Sequence, residues 1–380
     1  MNPNHTNRRN FLKLALAGGG ALAVPGLLSA CAASNTSSGG GATSASSKGA
    51  FTLPSDINAK WPKLSSTEVV LAGFGGETYQ VRHQRVFDQF SKLSGAKVVD
   101  APWDYGKFLN MVDSASPEWD AIDFDGYSTV ALIQSGKAPA KLADWVRRCD
   151  LVDQAYQDYA AGSYAYSVVL GWSSSLKEAP KNWADFFDTK KFPGKRAFPK
   201  SIYAGTVEIA LMADGVSKDN LYPLDFDRAF RKLDQIKGDL VFYDSYAQGQ
   251  QYIVQGSATM VAIANSRMIQ LKKDGKGDFT YEQAVLYPWG AFPITKNAKH
   301  ADAVNALIDT MSHPAVQAEV ARSLYLGPTV SAAFDLLSAD EKALQPNSDE
   351  NKAKAAVVNT EVAAKQDGEY VKRFFDWVGK

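Results

Sequence analysis

The sequence is poor in the residues that build covalent or metal-bound frameworks. It has two cysteines, Cys31 and Cys149, and four histidines among its 380 residues. The histidines beyond the N-terminal region, His83, His300 and His313, are too widely spaced for a metal-ligand motif. The chain also lacks a Gly-x-Ser-x-Gly nucleophile motif and a phosphate-binding loop of the P-loop type. We therefore expect no metal site and no cofactor, and an enzyme is only a remote alternative.

An excess of charge of one sign is lacking as well. The 41 Lys and Arg residues balance the 41 Asp and Glu residues, so the formal net charge is zero. Removal of residues 1–30 would take away three basic residues and no acidic one. So small an imbalance does not indicate a nucleic-acid partner or an anionic membrane surface.

A long membrane-spanning run is also missing. The apolar residues 14–30 include three consecutive glycines and Pro25, and they fall short of the roughly 20 apolar residues that a span requires. Because a basic patch precedes them, residues 1–30 are predicted to be an export signal. Arg8-Arg9 followed by Phe-Leu-Lys resembles a twin-arginine signal, but Asn7 replaces the usual Ser or Thr, so the Sec route stays open.

The segment after this run predicts a lipid anchor and a tether. Leu28-Ser29-Ala30-Cys31 resembles a lipoprotein signal-peptidase box, so Cys31 is the predicted lipidation site, and the protein is expected in the periplasm or at the cell surface. An acylated Cys31 would leave Cys149 as the remaining thiol, which excludes an intramolecular disulfide. Residues 31–60 begin with a run of Ser, Gly, Ala, Thr and Asn and are predicted to be a flexible linker.

The rest of the chain alternates between strand and helix patterns. Strands predicted at residues 68–73, 97–100 and 119–124 are separated by helices, which favours parallel sheets covered on both faces. Ligands bind such sheets at the carboxyl ends of the strands, here residues 74–79 and 125–128. Since the remaining length is about twice that of a usual domain, two lobes are expected. We assign lobe 1 to residues 61–164, lobe 2 to 165–288, and a return to lobe 1 with C-terminal helices to 289–380.

Several short motifs carry a family resemblance. Their order and spacing are similar to those of the spermidine/putrescine-type solute-binding proteins of ABC importers. The motifs are residues 179–188, Phe192-Pro193-Gly194-Lys195-Arg196, Gln255-Gly256, Ala264-Asn265-Ser266-Arg267 and Gly327-Pro328-Thr329.

The resemblance implies a type II periplasmic-binding-protein fold, with the solute held in a cleft between two α/β lobes. It implies a monomer that captures a polyamine-like cation and delivers it to a membrane permease. Such proteins hold amines with carboxylates and aromatic rings, because a desolvated cation requires an anion and gains from a ring face. The corresponding positions are Phe74, Gly76, Glu77, Tyr79, Asp125, Gly126, Tyr127, Tyr203, Thr206, Glu208, Tyr243, Asp244, Ser245, Tyr287 and Trp289.

Two positions depart from the polyamine pattern, and other interpretations stay open. Ala264 stands where polyamine receptors have Trp, and Trp289 stands where they have Asp. The Gly75-Gly76 turn could offer N–H groups to an anion, so a different small polar or anionic solute is the alternative. Glu77 could instead stabilise a helix N-terminus, and Asp125 could be a turn former.

Overall fold

The computed structural model describes residues 51–201 and 204–379. Predictions for residues 1–50, which include the export signal and lipidation of Cys31, lie outside the described residues, as does the predicted solute contact of Tyr203. Residues 49–380 form one unit. Within the described part of the chain, no helix is sufficiently long and apolar to span a membrane.

A parallel sheet of three strands opens the fold. It comprises β1 (Thr67–Gly73), β2 (Ala96–Pro102) and β3 (Ala121–Ile122), in the order β2-β1-β3. Valine and leucine residues of β1 and β2 alternate into the core, and Val69 lies opposite Val98. This arrangement confirms the parallel pairing predicted for the first half.

The connections between these strands are helical. Helix α1 (Gly76–Arg82) continues through a π-helical turn into α2 (Asp88–Ser94), and α3 (Tyr105–Met111) precedes β3. The spacing of Val86, Phe90 and Leu93 predicts one apolar helical face; Val86, Phe87 and Phe90 are fully covered, whereas Leu93 is 46% exposed. Gly95, which the sequence predicts as the end of this helix, ends α2 in a left-handed conformation, with φ of 77°, which glycine adopts at low cost.

The second sheet is larger and mixed. Within the described residues it has seven strands, in the order β10-β9-β5-β8-β6-β7, and β4 pairs with β9. The strands are β4 (Phe124–Asp125), β5 (Gly162–Ser173), β6 (Arg196–Pro199), β7 (Leu240–Tyr243), β8 (Met260–Ala264), β9 (Gly277–Ala291) and β10 (Ala356–Val357). β6 runs parallel to β7 and β8, whereas β5 is antiparallel to β8 and β9. The mainly parallel pairing that we expected is therefore confined to part of this sheet.

Helices cover the larger sheet and fill the C-terminal region. Polar residues cap several of these helices. Asn182, for example, caps α5 by accepting a hydrogen bond of 3.1 Å from the Asp185 N–H. The helices are α4 (Gly126–Gln134), α5 (Trp183–Phe187), α6 (Thr206–Ala213), α7 (Phe226–Asp234), α8 (Tyr246–Val254), α9 (Asn265–Lys273), α10 (Ala301–Met311), α11 (Pro314–Leu324), α12 (Ser331–Phe334), α13 (Ala339–Ala343), α14 (Asp349–Lys354), α15 (Thr360–Lys365) and α16 (Asp367–Val378).

The chain returns to the first sheet just after β9. The Thr295 N–H donates to the Asp120 carbonyl at 2.9 Å, and the Ile122 N–H donates to the Pro293 carbonyl at 3.3 Å. This return lies where the sequence predicted it, near residues 289–294. The two sheets are thus joined by long strands on either side of the second half.

The end of the predicted linker is in contact with the folded body. The Gln89 side chain bonds both the Leu53 N–H, at 3.0 Å, and the Phe51 carbonyl, at 2.8 Å. The indole N–H of Trp61 donates to Asp309 at 2.8 Å, and Ile57 is buried. Residues 51–60 therefore differ from the flexible linker expected over 31–60, because their apolar side chains and backbone groups find partners.

Candidate functional site

Two turns predicted to hold solute lie at the carboxyl ends of β1 and β4. In the first turn, Gly75 and Gly76 have φ values of 63° and 65°, which favour glycine. Phe74 precedes them, is 57% exposed, and stacks on Trp103 with a centroid distance of 5.1 Å. Together with the end of β2 they line a groove of about 510 Å³. A stacked aromatic pair, with Phe74 exposed and Trp103 partly buried, thus borders the first turn.

The second turn presents a buried acid, Asp125. Its Oδ1 atom caps α4 by accepting a hydrogen bond of 2.7 Å from the Ser128 N–H, and the residue is 6% exposed. Burial raises the pKa of the Asp125 carboxyl to about 6, and the nearby charges of Asp367 and Asp123 act in the same direction. Within the described part of the chain no Lys or Arg forms an ion pair with it. A buried carboxylate of this kind favours a cationic partner.

Three tyrosines lie close enough to this carboxylate for its charge to act on their hydroxyls. Tyr166 of β5 stacks on Tyr287 of β9, with centroids 4.6 Å apart and planes within 3°. Burial raises the pKa of both hydroxyls, and the charge of Asp125 adds to the effect on each. Tyr246, the first residue of α8, is also close enough for Asp125 to raise its pKa. Asp125, Tyr166, Tyr246 and Tyr287 therefore form one cluster, which we call the tyrosine cluster.

Arg267 of α9 lies at the edge of the tyrosine cluster. Its guanidinium carbon is 5.7 Å from the centre of the Tyr246 ring, and its charge lowers the pKa of that hydroxyl, which burial raises. Its Nη2 donates to the Thr78 hydroxyl of α1 at 3.0 Å, and its Nη1 is 3.5 Å from Glu77. Helix α1 of the first sheet and helices α8 and α9 of the second thus meet at these side chains.

Tyr79, predicted to contact solute, is instead bound within a buried network. Its hydroxyl donates to Asp123 at 3.0 Å, and Arg82 pairs with the same carboxylate oxygen at 2.6 Å. The Tyr164 hydroxyl donates to the other oxygen at 2.7 Å. All of these side chains are buried, so the network fixes α1 and β5 against the strand that carries Asp125.

Gly126, Tyr127 and Trp289 support the Asp125 turn from behind. A Cβ atom on Gly126 would lie 2.6 Å from the Trp289 ring, which is 2% exposed. The Tyr127 hydroxyl donates to Asp367 of α16. Because Trp289 and Tyr127 are enclosed, they shape the turn and present little surface to a solute.

The remaining predicted residues of the second half divide into buried and exposed groups. Thr206 and Glu208 of α6 are buried, and Glu208 Oε1 accepts from the Tyr222 hydroxyl at 2.8 Å while burial raises the pKa of its carboxyl. Tyr243 is buried and donates to the Ala262 carbonyl at 2.7 Å. Asp244 and Ser245 are exposed, and Ser245 caps α8. The polar groups of Tyr243 and Ser245 thus have hydrogen-bond partners within the protein and do not require a solute.

Three residues of this site, Tyr166, Tyr246 and Arg267, were missing from the predicted set. Tyr166 lies in β5, where alternation places it on the same face as Tyr164. Arg267 belongs to the Ala264-Asn265-Ser266-Arg267 motif, which was used only to identify the family. The position of a basic residue shortly after the buried strand β8 is the sequence feature that could have identified Arg267.

Comparisons with known proteins identify the family and the fold. The family model described as bacterial extracellular solute-binding protein matches residues 86–378. A gamma-aminobutyric acid-binding protein of Pseudomonas aeruginosa is 27% identical over 330 residues, covering 84% of this chain and 93% of the relative. A solved GABA receptor is 31% identical with a TM-score of 0.72, covering 82% of this chain and 97% of its own. A binding protein of A. tumefaciens R10 in complex with agropinic acid is 25% identical with a TM-score of 0.76, covering 83% and 100%.

Proposed function

The chain belongs to the bacterial extracellular solute-binding protein family, and we propose that its solute is a small compound with a primary ammonium group. It has the α/β fold of periplasmic binding proteins and is the substrate-binding protein of an ABC transporter rather than an enzyme. It binds a small solute outside the cytoplasm for delivery to a membrane permease.

The observation that carries the proposal is the buried Asp125 carboxylate. It is 6% exposed, and its charge acts on the hydroxyls of Tyr166, Tyr246 and Tyr287. An ammonium group would neutralise this carboxylate, and the Tyr166 and Tyr246 rings would offer it electron-rich faces. Since the carboxylate is already desolvated, much of the cost of binding a cation there is met in the folded protein.

γ-Aminobutyrate is the first solute to test. Two of the similar proteins are named for this compound, at 27% and 31% identity. It carries one ammonium group, which matches one buried carboxylate in the tyrosine cluster. A polyamine is the second candidate, because the exposed carboxylate of Glu77 lies across the cleft and could hold a second ammonium group.

Several further features belong to the proposal. Lobe 1 (residues 61–164 and 289–380) and lobe 2 (165–288) would close on the solute about β5 and the end of β9, since the proposed contacts come from both sides. The protein would act as a monomer that is tethered through lipidated Cys31. Small-angle scattering with and without solute tests closure, and mass spectrometry of the mature N-terminus tests lipidation.

Calorimetric titration of the purified protein with γ-aminobutyrate, putrescine and spermidine tests the solute class. We expect heat with at least one of them and a raised melting temperature, because ligand at 100 times its Kd stabilises by about 2.7 kcal/mol. Asp125→Asn should weaken binding by about 10- to 100-fold, since it removes a charged partner. Asp335→Asn, an exposed change at the end of α12, should have no effect. Absence of binding to all three compounds at millimolar concentration would refute the proposal.

A further inference from the structure

The guanidinium group of Arg267 is largely buried but incompletely paired. Its side chain is 18% exposed, and its Nε atom is buried without a hydrogen-bond partner in the described residues. A guanidinium group has five N–H donors, and here the Nη2 atom makes one hydrogen bond, to the Thr78 hydroxyl at 3.0 Å. Burial of a cation with unused donors is costly, so this geometry favours an additional anionic group.

Glu77 is a weak counter-ion for this group. The Nη1 to Oε2 distance is 3.5 Å, longer than the 2.7–2.9 Å typical of a charge-assisted hydrogen bond. The Glu77 side chain is 67% exposed, so water competes strongly for its carboxylate. A better placed carboxylate could therefore displace Glu77 from Arg267 at little cost.

Arg267 contacts the face of the Tyr246 ring, and Asp125, the proposed ammonium anchor, is close enough for its charge to act on the hydroxyl of the same residue. The Arg267 guanidinium carbon is 5.7 Å from the Tyr246 ring centre, and the charges of Arg267 and Asp125 shift the pKa of this hydroxyl in opposite directions. A cation-binding and an anion-binding group thus flank one tyrosine. A small molecule with a charge of each sign at its two ends matches this pattern.

We infer that Arg267 receives a carboxylate of the solute, and that Glu77 is its counter-ion when no solute is bound. The inference rests on the proposed function and narrows it to an amino acid whose ammonium and carboxylate groups are separated by a short chain. The Nε–H and one Nη–H would bind the two carboxylate oxygens in the forked geometry that arginine favours. A polyamine would instead bring a second cation towards Arg267.

Three compounds of similar length separate these alternatives by calorimetry. γ-Aminobutyrate, butylamine and putrescine share an ammonium group and differ at the other end, which is a carboxylate, a methyl group or a second ammonium group. The wild-type protein should bind γ-aminobutyrate the most tightly. Arg267→Ala should weaken γ-aminobutyrate binding by about 10- to 100-fold and change butylamine binding by no more than a few-fold.

Matched variants distinguish charge from structure. Arg267→Lys keeps the charge but loses the planar fork, so its affinity for γ-aminobutyrate should be intermediate. Glu77→Gln should bind γ-aminobutyrate a few-fold more tightly and putrescine more weakly. Arg373→Ala removes an arginine of α16 that pairs with Asp227, and should leave all three affinities unchanged. Thermal unfolding of each variant checks that it is folded.

Two results would overturn the inference while the proposed function survives. One is an unchanged γ-aminobutyrate affinity in Arg267→Ala, and the other is an equal loss for γ-aminobutyrate and butylamine in a folded Arg267→Ala protein. If Asp125→Asn has no effect but Arg267→Ala removes γ-aminobutyrate binding, the proposed ammonium anchor fails and the inference stands. If the wild-type protein binds none of these three compounds and does not bind spermidine, both are refuted.

Discussion

The Tyr127 hydroxyl donates a hydrogen bond to the Asp367 carboxylate, which lies 240 residues further along the chain. Tyr127 is in the first turn of α4, directly after the proposed ammonium anchor, and Asp367 opens α16. From there α16 packs on α7 of the second half, where Phe226 lies 5.6 Å from Tyr370 between ring centres. The C-terminal helix therefore connects the turn at Asp125 to α7 of the second half.

Tyr127→Phe should lower the free energy of unfolding by about 1–3 kcal/mol, because it leaves the partly buried Asp367 carboxylate without this donor. Denaturant unfolding of Tyr127→Phe, Asp367→Asn and the double variant measures the coupling between the two side chains. The double variant should lose less than the sum of the single losses. Strictly additive losses would show that the bond contributes nothing to stability.

The Asp125 carboxyl should make stability depend on pH. Its pKa in the folded protein is about 6, against 3.8 ordinarily, because burial disfavours the charged form. Between about pH 4 and pH 6 the folded state keeps a proton that the unfolded state has lost. Ionisation of this group therefore opposes folding, and the free energy of unfolding should fall by about 3 kcal/mol as the pH rises through this window.

Asp125→Asn isolates this effect, because asparagine is an equally good N-cap and does not titrate. The variant should match the wild-type protein near pH 4 and exceed its free energy of unfolding above pH 6. Asp367, whose pKa burial also raises, is present in both proteins and largely cancels in the difference. Stability curves that run parallel from pH 4 to pH 8 would contradict the raised pKa.

The sequence predicts local structure best where a pattern is short and continuous. The Val86 and Phe90 spacing and Gly95 give α2 and its end, and the family resemblance draws attention to Asp125. The N-terminal part of β9 was not predicted as a strand, because its polar and charged residues disfavour one. In the structure, Gln283 adopts φ of 56° within it, and pairing with the long β5 supplies the partner.

The candidate site was harder to predict, because its contacts join distant parts of the chain. Arg267 and Thr78 are separated by 189 residues, so no spacing in the sequence relates them. Sequence patterns also do not distinguish an aromatic side chain in a cleft from one in the core. Tyr79 and Tyr243 were predicted to contact solute, but buried hydrogen bonds occupy their hydroxyls.

Gly126→Ala should destabilise the protein, although alanine is usually the better residue in a helix. The added Cβ would lie 2.6 Å from the ring of Trp289, which is buried and cannot move aside. Such overpacking costs about 1–3 kcal/mol. Gly368→Ala in α16 is the control, since nothing lies within 4 Å of its Cβ position, and it should stabilise by up to about 1 kcal/mol. Similar unfolding free energies for the two variants would exclude the steric role of Trp289.

Trp61→Phe should detach the N-terminal segment from the folded body. The Trp61 indole donates at 2.8 Å to Asp309, which also accepts from the Arg147 N–H at 2.8 Å and is 1% exposed. Phenylalanine keeps an aromatic ring against Phe90, whose centroid lies 5.6 Å away, but removes the donor. Loss of a hydrogen bond to a charged group costs about 1.5–3 kcal/mol.

Urea unfolding measures this loss, and limited proteolysis should reveal faster cleavage within residues 51–60 in the variant. Lys63→Ala is a suitable control, because Lys63 is exposed two residues away and its removal should change stability by less than about 0.5 kcal/mol. The cleavage rate separates local release from global unfolding, since the rest of the chain should stay resistant. If Trp61→Phe matches Lys63→Ala in both measurements, the segment is held by its apolar contacts, such as buried Ile57, and the bond to Asp309 is dispensable.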